Sequence, residues 1–201
     1  MWLRRELSRL KPCALLVKNS QSDGPLNFSS DFFAVFAISP SWDVDIDDLG
    51  VRYRKLQQEF HPDRYATKSD AEKRLAVQAA SFINQAFDTL KSPLKRAQYL
   101  LALKGVESDQ ETHITSDTVF LMRQIELRET LSEISAKEDS WSNIEALRAD
   151  VESTYYELQA EFKHQYESEL FDDAFNAVAK MQFFTKLLVE IGQLEAELED
   201  A

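Results

Sequence analysis

The chain of 201 residues is short of almost every residue that bends or staples a polypeptide. It has 4 Gly, 5 Pro and a single cysteine, Cys13. So few turn-formers cannot supply the many reversals of an all-β domain, so helices are expected. One cysteine closes no internal disulfide and builds no cysteine-based zinc cage, which fits a reducing compartment. There is no long apolar run either: the longest, FFAVFAI at 32–38, falls far short of the roughly 20 residues of a membrane span. A soluble protein that does not enter a membrane is expected. What the chain has in excess is acid, and it is unevenly placed. Residues 116–201 hold 20 Asp and Glu against 7 Lys and Arg, leaving 15 acids and 16 bases in residues 1–115. A surface without a basic excess does not neutralise phosphates, so nucleic acid is not an expected partner. The break in charge suggests two domains.

Residues 1–30 combine scattered Arg and Lys with the polar stretch NSQSDGPLNFSS and read as a poorly ordered extension. Its opening, MWLRRELSRL, is basic with leucines near one side. The location expected is cytoplasmic, or the mitochondrial matrix if this segment is a targeting signal. Helices begin at Asp31, a cap for a short apolar helix ending near Ser39-Pro40. A second helix starts at Asp45 or Asp47 and carries Ile46, Leu49, Tyr53, Leu56 and Phe60 on one stripe. Its other faces bear Arg52, Arg54 and Lys55, a basic cluster whose ordinary explanation is solubility.

That helix meets QQEFHPDRYA and stops. Proline disfavours the helical conformation of the residue before it and brings no backbone donor, so His61 is pushed toward an extended shape and a loop follows. A cap at Asp70 opens a third helix through about Lys91, and PLKRAQYLLALKG makes a fourth, closed by Gly105. Two long helices with a short connection pack antiparallel, which puts His61, Pro62 and Asp63 at the exposed tip of a hairpin. Three readings of that tip are open: a catalytic or metal site, a turn with only a structural role, and a handle for another protein. The first is disfavoured because a tip is convex, and because two side chains fall short of the three or four ligands a metal takes. Only His113 and His164 could join them, and both lie far off in sequence.

In that half, residues 116–135, about 138–168 and 171–200 read as three helices of a bundle. Phe120, Leu127, Leu131 and Ile134 share a core stripe, whereas Leu121, Met122 and Ile125 fall on the far side with Glu126, Glu129 and Glu133. From periodicity alone, that patch packs against the first domain or against a partner with equal weight. Phe183 flanks a stripe of Met181, Phe184, Leu187, Leu188, Ile191, Leu194 and Leu198, so core packing is open to it as well.

YRKLQQEFHPDR, followed by INQAFDTLKSPLKRAQYL and preceded by DFFAVFAI, resembles the J domain, the module that stimulates DnaK-type ATPases. The long acidic helical region beginning SDTVFLMRQIELRETLSEI narrows the resemblance to the HscB (Jac-type) co-chaperones of iron-sulfur cluster assembly, over residues 31 to about 200. The resemblance implies an all-α protein with a J domain at 31–104, a linker at 105–115 and a three-helix domain at 116–201. It implies no enzyme, no metal and no cofactor, and a co-chaperone that carries the scaffold IscU to the chaperone HscA and stimulates its ATPase. On this reading His61, Pro62, Asp63, Arg52, Arg54, Lys55 and Arg64 meet the chaperone. Leu121, Met122, Ile125, Glu126, Glu129, Glu133 and Phe183 meet the scaffold. The zinc-binding N-terminal segment of some relatives needs cysteines that this chain lacks. A monomer is expected, with self-association left open. A general J protein with another client, and a small helical enzyme using His61 and Asp63, are the alternatives.

Overall fold

The computed structural model describes residues 18–19, 22–25, 31–106, 117–135 and 140–200. Much of the expected N-terminal extension, and the interior of the expected linker, therefore lie outside the described residues. Within the first thirty residues, β1 (Lys18–Asn19) pairs antiparallel with β2 (Ser22–Pro25), with Lys18 opposite Pro25 and Asn19 opposite Ser22. Everything else that is regular is helical, as expected: α1 (Phe32–Val35), α2 (Ile46–Glu59), a 3-10 turn at Pro62–Tyr65, α3 (Asp70–Lys91), α4 (Pro93–Leu103), α5 (Thr118–Ser135), α6 (Ser140–Glu167) and α7 (Phe171–Glu199). The chain divides into two compact units, Met1–Leu100 and Leu101–Ala201.

In the first unit the helix ends are set by side-chain caps. Asp31 accepts from the N–H of Ala34 at 2.8 Å and Asp45 from that of Asp48 at 3.0 Å, each satisfying a donor that the helix itself cannot. The Phe32 N–H finds another acceptor, the Tyr99 hydroxyl at 2.9 Å, and the two rings stack at 4.5 Å. Burial pushes that hydroxyl up to about 12. The cap of α3 is Ser69, one residue before the expected Asp70. Ser69 and Glu72 form a reciprocal box in which each side chain bonds to the other's backbone N–H.

Helix α1 also ends sooner than the expected Ser39-Pro40. Ala37 turns left-handed (φ 52°), its N–H bonds to the Ala34 carbonyl, and the Ile38 N–H reaches back to that of Phe33, so the chain reverses through a Schellman closure. The same closure recurs at Gly105 (φ 76°) and at Glu169 (φ 59°), which ends α6 and delivers the chain into α7.

The core of this unit is aromatic. Phe32, Phe33, Phe36, Phe60 and Phe82 are buried with Leu49, Leu56, Ile83, Leu90 and Leu100. Of the stripe expected on α2, Tyr53 is half-buried and Ile46, in the first turn, stays exposed. Tyr53 stacks on Phe87 at 4.0 Å, while its hydroxyl and the Gln57 amide both bond to Asn84. Residue numbers rise along α2 as they fall along α3, so the hairpin is antiparallel as expected.

The second unit is a bundle of α5, α6 and α7. Tyr166 meets Phe171 edge-on near the turn, and Arg148 meets Glu195 at the far end, so α6 and α7 run antiparallel. Phe120 against Phe183 and Arg128 near Glu190 set α5 parallel to α7. Ala174, Ala177 and Ala179 keep side chains short along α7, and Ile144, Val151, Phe162, Met181, Phe184, Leu187 and Ile191 fill the space between helices. On α5, Phe120, Leu127 and Ile134 are buried as expected, whereas Leu131 is only half-buried. No described helix is long and apolar enough to cross a membrane.

Candidate partner-binding surfaces

The tip of the α2–α3 hairpin is built from its base upward. Phe60 closes α2, donating to the Leu56 carbonyl at 3.0 Å while its ring is driven into the core. His61 follows with φ −61° and ψ 131°, the extended shape that the next proline imposes. Pro62 then occupies the first position of the 3-10 turn, where its missing N–H costs nothing. The turn closes by Arg64 N–H to the His61 carbonyl (3.0 Å) and Ala66 N–H to that of Asp63 (3.3 Å). Tyr65 is the one half-buried side chain of the turn, and burial pushes its hydroxyl up.

His61, Pro62 and Asp63 are all exposed, and 90% of the Asp63 side chain is accessible. The His61 Nδ1 accepts from the Asp63 N–H at 3.3 Å and stands 3.6 Å from its carboxylate. No group of three or more metal-ligating side chains exists among the described residues. His164 is exposed on α6, and His113 lies outside the described residues.

The four basic candidates divide. Arg54 and Lys55 are exposed on α2, and Arg64 is exposed with its guanidinium curled back to the Gln58 carbonyl at 3.3 Å. Arg52 is engaged within the fold: Nε meets the Asp48 carboxylate at 2.7 Å, and Nη1 donates to the carbonyls of Phe36 (2.9 Å) and Ala37 (3.2 Å). Those carbonyls are left over where α1 ends. The Arg52 guanidinium therefore caps α1 and ties it to α2, a task that periodicity did not reveal.

On the second unit, Met122 is 57% and Ile125 52% exposed on α5, Leu121 is half-buried, and Glu126, Glu129 and Glu133 stand exposed beside them. Val119, 81% exposed and three residues before Met122, extends the apolar part, and that spacing was the signal that could have found it. Phe183 is half-buried. Its ring sits edge-on to Phe120 at 5.8 Å and to Phe184 at 5.3 Å, with the Arg128 guanidinium 5.7 Å from its centre. It thus links α5 to α7.

Comparison with known proteins agrees with this division. Residues 31–99 match the DnaJ domain, and residues 116–192 match the HSCB C-terminal oligomerisation domain. The chain is 42% identical over 173 residues to the Co-chaperone protein HscB homolog of Shewanella pealeana, across 85% of this chain and 99% of that one. Among solved structures, Chaperone HscB from Vibrio cholerae superposes with a TM-score of 0.77 at 34% identity, over 84% of this chain and 99% of the other. Human co-chaperone protein HscB superposes with a TM-score of 0.78 at 26% identity, over 91% of each chain. With a J domain carrying an exposed His-Pro-Asp tip and an HscB-type helical domain after it, this chain belongs to the HscB family of co-chaperones.

Proposed function

We propose that this protein carries an iron-sulfur cluster scaffold of the IscU type to a DnaK-type chaperone of the HscA type and stimulates that chaperone's ATPase. The observation that carries the reading is the presence of two exposed, chemically different surfaces on two separate units. One is a tip closed by backbone hydrogen bonds and ending in a carboxylate. The other is an apolar stripe rimmed by glutamates.

On a turn closed by its own backbone bonds, the Asp63 carboxylate is held outward at little further entropic cost, and it suits a forked arginine of the chaperone. Arg54, Lys55 and Arg64 give the tip's surroundings a positive sign that steers approach to an acidic surface. Met122 and Ile125, with the accessible part of Leu121, supply apolar area to the scaffold, while Glu126, Glu129 and Glu133 favour a basic rim on it. Phe183, half-buried against Phe120, offers its accessible part as a further apolar contact. The protein itself makes and breaks no bond: it couples two binding events to hydrolysis on another molecule.

The test separates the surfaces. Asp63→Asn abolishes ATPase stimulation and leaves scaffold affinity unchanged. Leu121→Ala with Met122→Ala and Ile125→Ala weakens scaffold binding by about a hundredfold and leaves stimulation of the chaperone alone intact. Titration calorimetry reads the first quantity and steady-state ATP turnover the second, with circular dichroism confirming the fold. If each variant loses both activities, the division of labour is wrong. A wild-type protein that stimulates the chaperone but ignores the scaffold is a general J protein, and turnover of a small molecule without any chaperone would make it an enzyme.

A further inference from the structure

This inference rests on the chaperone-stimulation reading and assigns a task to one ring nitrogen within it. The first backbone N–H groups of any helical turn lack a partner inside the turn. Pro62 has none to offer, so the first such donor here belongs to Asp63. Position 61, the residue flanking the turn, is where Ser, Thr, Asp or Asn ordinarily accepts that bond through a side-chain oxygen. This chain has histidine there, and its Nδ1 accepts from the Asp63 N–H at 3.3 Å.

A nitrogen that accepts from an amide N–H offers a lone pair and carries no proton, so the neutral ring holds its proton on Nε2. The consequence reaches the carboxylate. Nδ1 also stands 3.6 Å from Asp63 Oδ2. In the opposite tautomer an Nδ1–H would donate to that oxygen, fold the carboxylate onto the ring and leave the Asp63 N–H without its acceptor. With the lone pair on Nδ1 the acid has no such bond, and 90% of its side chain is accessible.

We propose that His61 is a positioning residue: as the Nε2–H tautomer, its Nδ1 lone pair caps the turn through the Asp63 N–H and so keeps the Asp63 carboxylate free for a cationic group of the chaperone.

Two substitutions split the ring's two ends. Asparagine carries its oxygen on Cγ, the atom that bears Nδ1 in histidine, and can take the same bond. Glutamine places its amide one carbon further out, in the region of Nε2, and cannot cap in the same way. Loss of the cap lowers the fraction of tips held ready, so His61→Gln reduces stimulation by about tenfold. His61→Asn recovers most of that loss, to within about threefold of the wild type. On the full chain, labelled with nitrogen-15 at histidine, long-range proton–nitrogen correlation shows the neutral His61 ring protonated at Nε2.

A His61 protonated mainly at Nδ1, or a glutamine variant as active as the asparagine one, overturns the assignment while leaving the chaperone reading in place. Wild-type protein that speeds no DnaK-type ATPase overturns that reading instead, and the tautomer measurement then decides the capping claim alone.

Discussion

In the first unit the residues proposed to meet a partner stand at the end of a helix, and in the second they stand partway along one. The difference is physical. At the end of α2 the backbone has free donors and acceptors, and a proline, a histidine side chain and a handful of turn bonds decide where Asp63 goes. Along α5 the backbone is satisfied within the helix, and only the side-chain period decides that Met122 and Ile125 face out while Leu127 and Ile134 face in. Helix ends in the first unit are likewise governed by Asp31, Asp45 and Ser69. Between the long helices of the second unit, ion pairs such as Arg123–Asp150, Lys180–Asp117 and Arg148–Glu195 form bridges, Asp117 being at the same time the cap of α5. A tip can thus be lost by changing one cap, whereas a face is lost only by changing the face or melting the bundle beneath it.

Melting the bundle gives the largest expected effect. Phe162 is fully buried on α6 and stacks on Tyr166 at 5.6 Å, so Phe162→Ala costs about 3–5 kcal/mol. If the two units are thermodynamically separate, hydrogen exchange shows α5–α7 losing protection while α2 and α3 keep theirs. Simultaneous loss in both breaks the comparison. A smaller effect is expected in the first unit. Tyr99→Phe leaves the Phe32 N–H buried without its acceptor, at a cost of about 1–3 kcal/mol. The amides of α1 should then exchange faster while those of α3 change little, and a uniform loss along α3 would mean that α1 is not the local hinge of that stability.

This contrast explains what the sequence made legible. The tip could be read because proline leaves a mark at a fixed place: His61 extended, Pro62 first in the turn, Asp63 exposed. The outward position of Met122 and Ile125 could be read because a helical period needs no tertiary knowledge. What failed has equally definite causes. Helix α1 ends before the expected Ser39-Pro40 because Ala37 adopts a left-handed conformation usually flagged by glycine. The cap of α3 falls at Ser69 and not at the expected Asp70; both residues are good caps, and the Ser69–Glu72 spacing of a capping box distinguishes them. Arg52 is indistinguishable from Arg54 and Lys55 in the sequence because its partners, the carbonyls of Phe36 and Ala37, lie 16 and 15 residues away and leave no periodic trace. Phe183, half-buried, escapes a choice between core and surface because it occupies the boundary between them.

The finest test of the comparison is whether polar bridges in the second unit matter as caps do in the first. Arg148 on α6 forks onto Glu195 on α7, with Nε 2.6 Å from Oε1 and Nη2 against Oε2, and also reaches Glu152 at 3.4 Å. The hydrogen bond from Arg148 holds the Glu195 carboxyl below its ordinary range, and the same bond pushes the guanidinium up. A carboxyl depressed in the folded state binds fewer protons there than in the unfolded chain. Its contribution is therefore present above the unfolded value of about 4.3 and is lost as pH falls through the lower, folded value. Because both side chains are partly accessible, Arg148→Met should cost only about 1 kcal/mol at pH 7. Glu72 and Asp117 are also held low, by hydrogen bonds from Ser69 and Lys180, so acid alone destabilises the wild type through several groups. The difference between wild type and variant isolates the one bridge: urea denaturation should show a gap at pH 7 that closes toward pH 3. A gap of the same size at both would mean that Arg148 contributes through the packing of its aliphatic stem, and that charge bridges these helices without stabilising them.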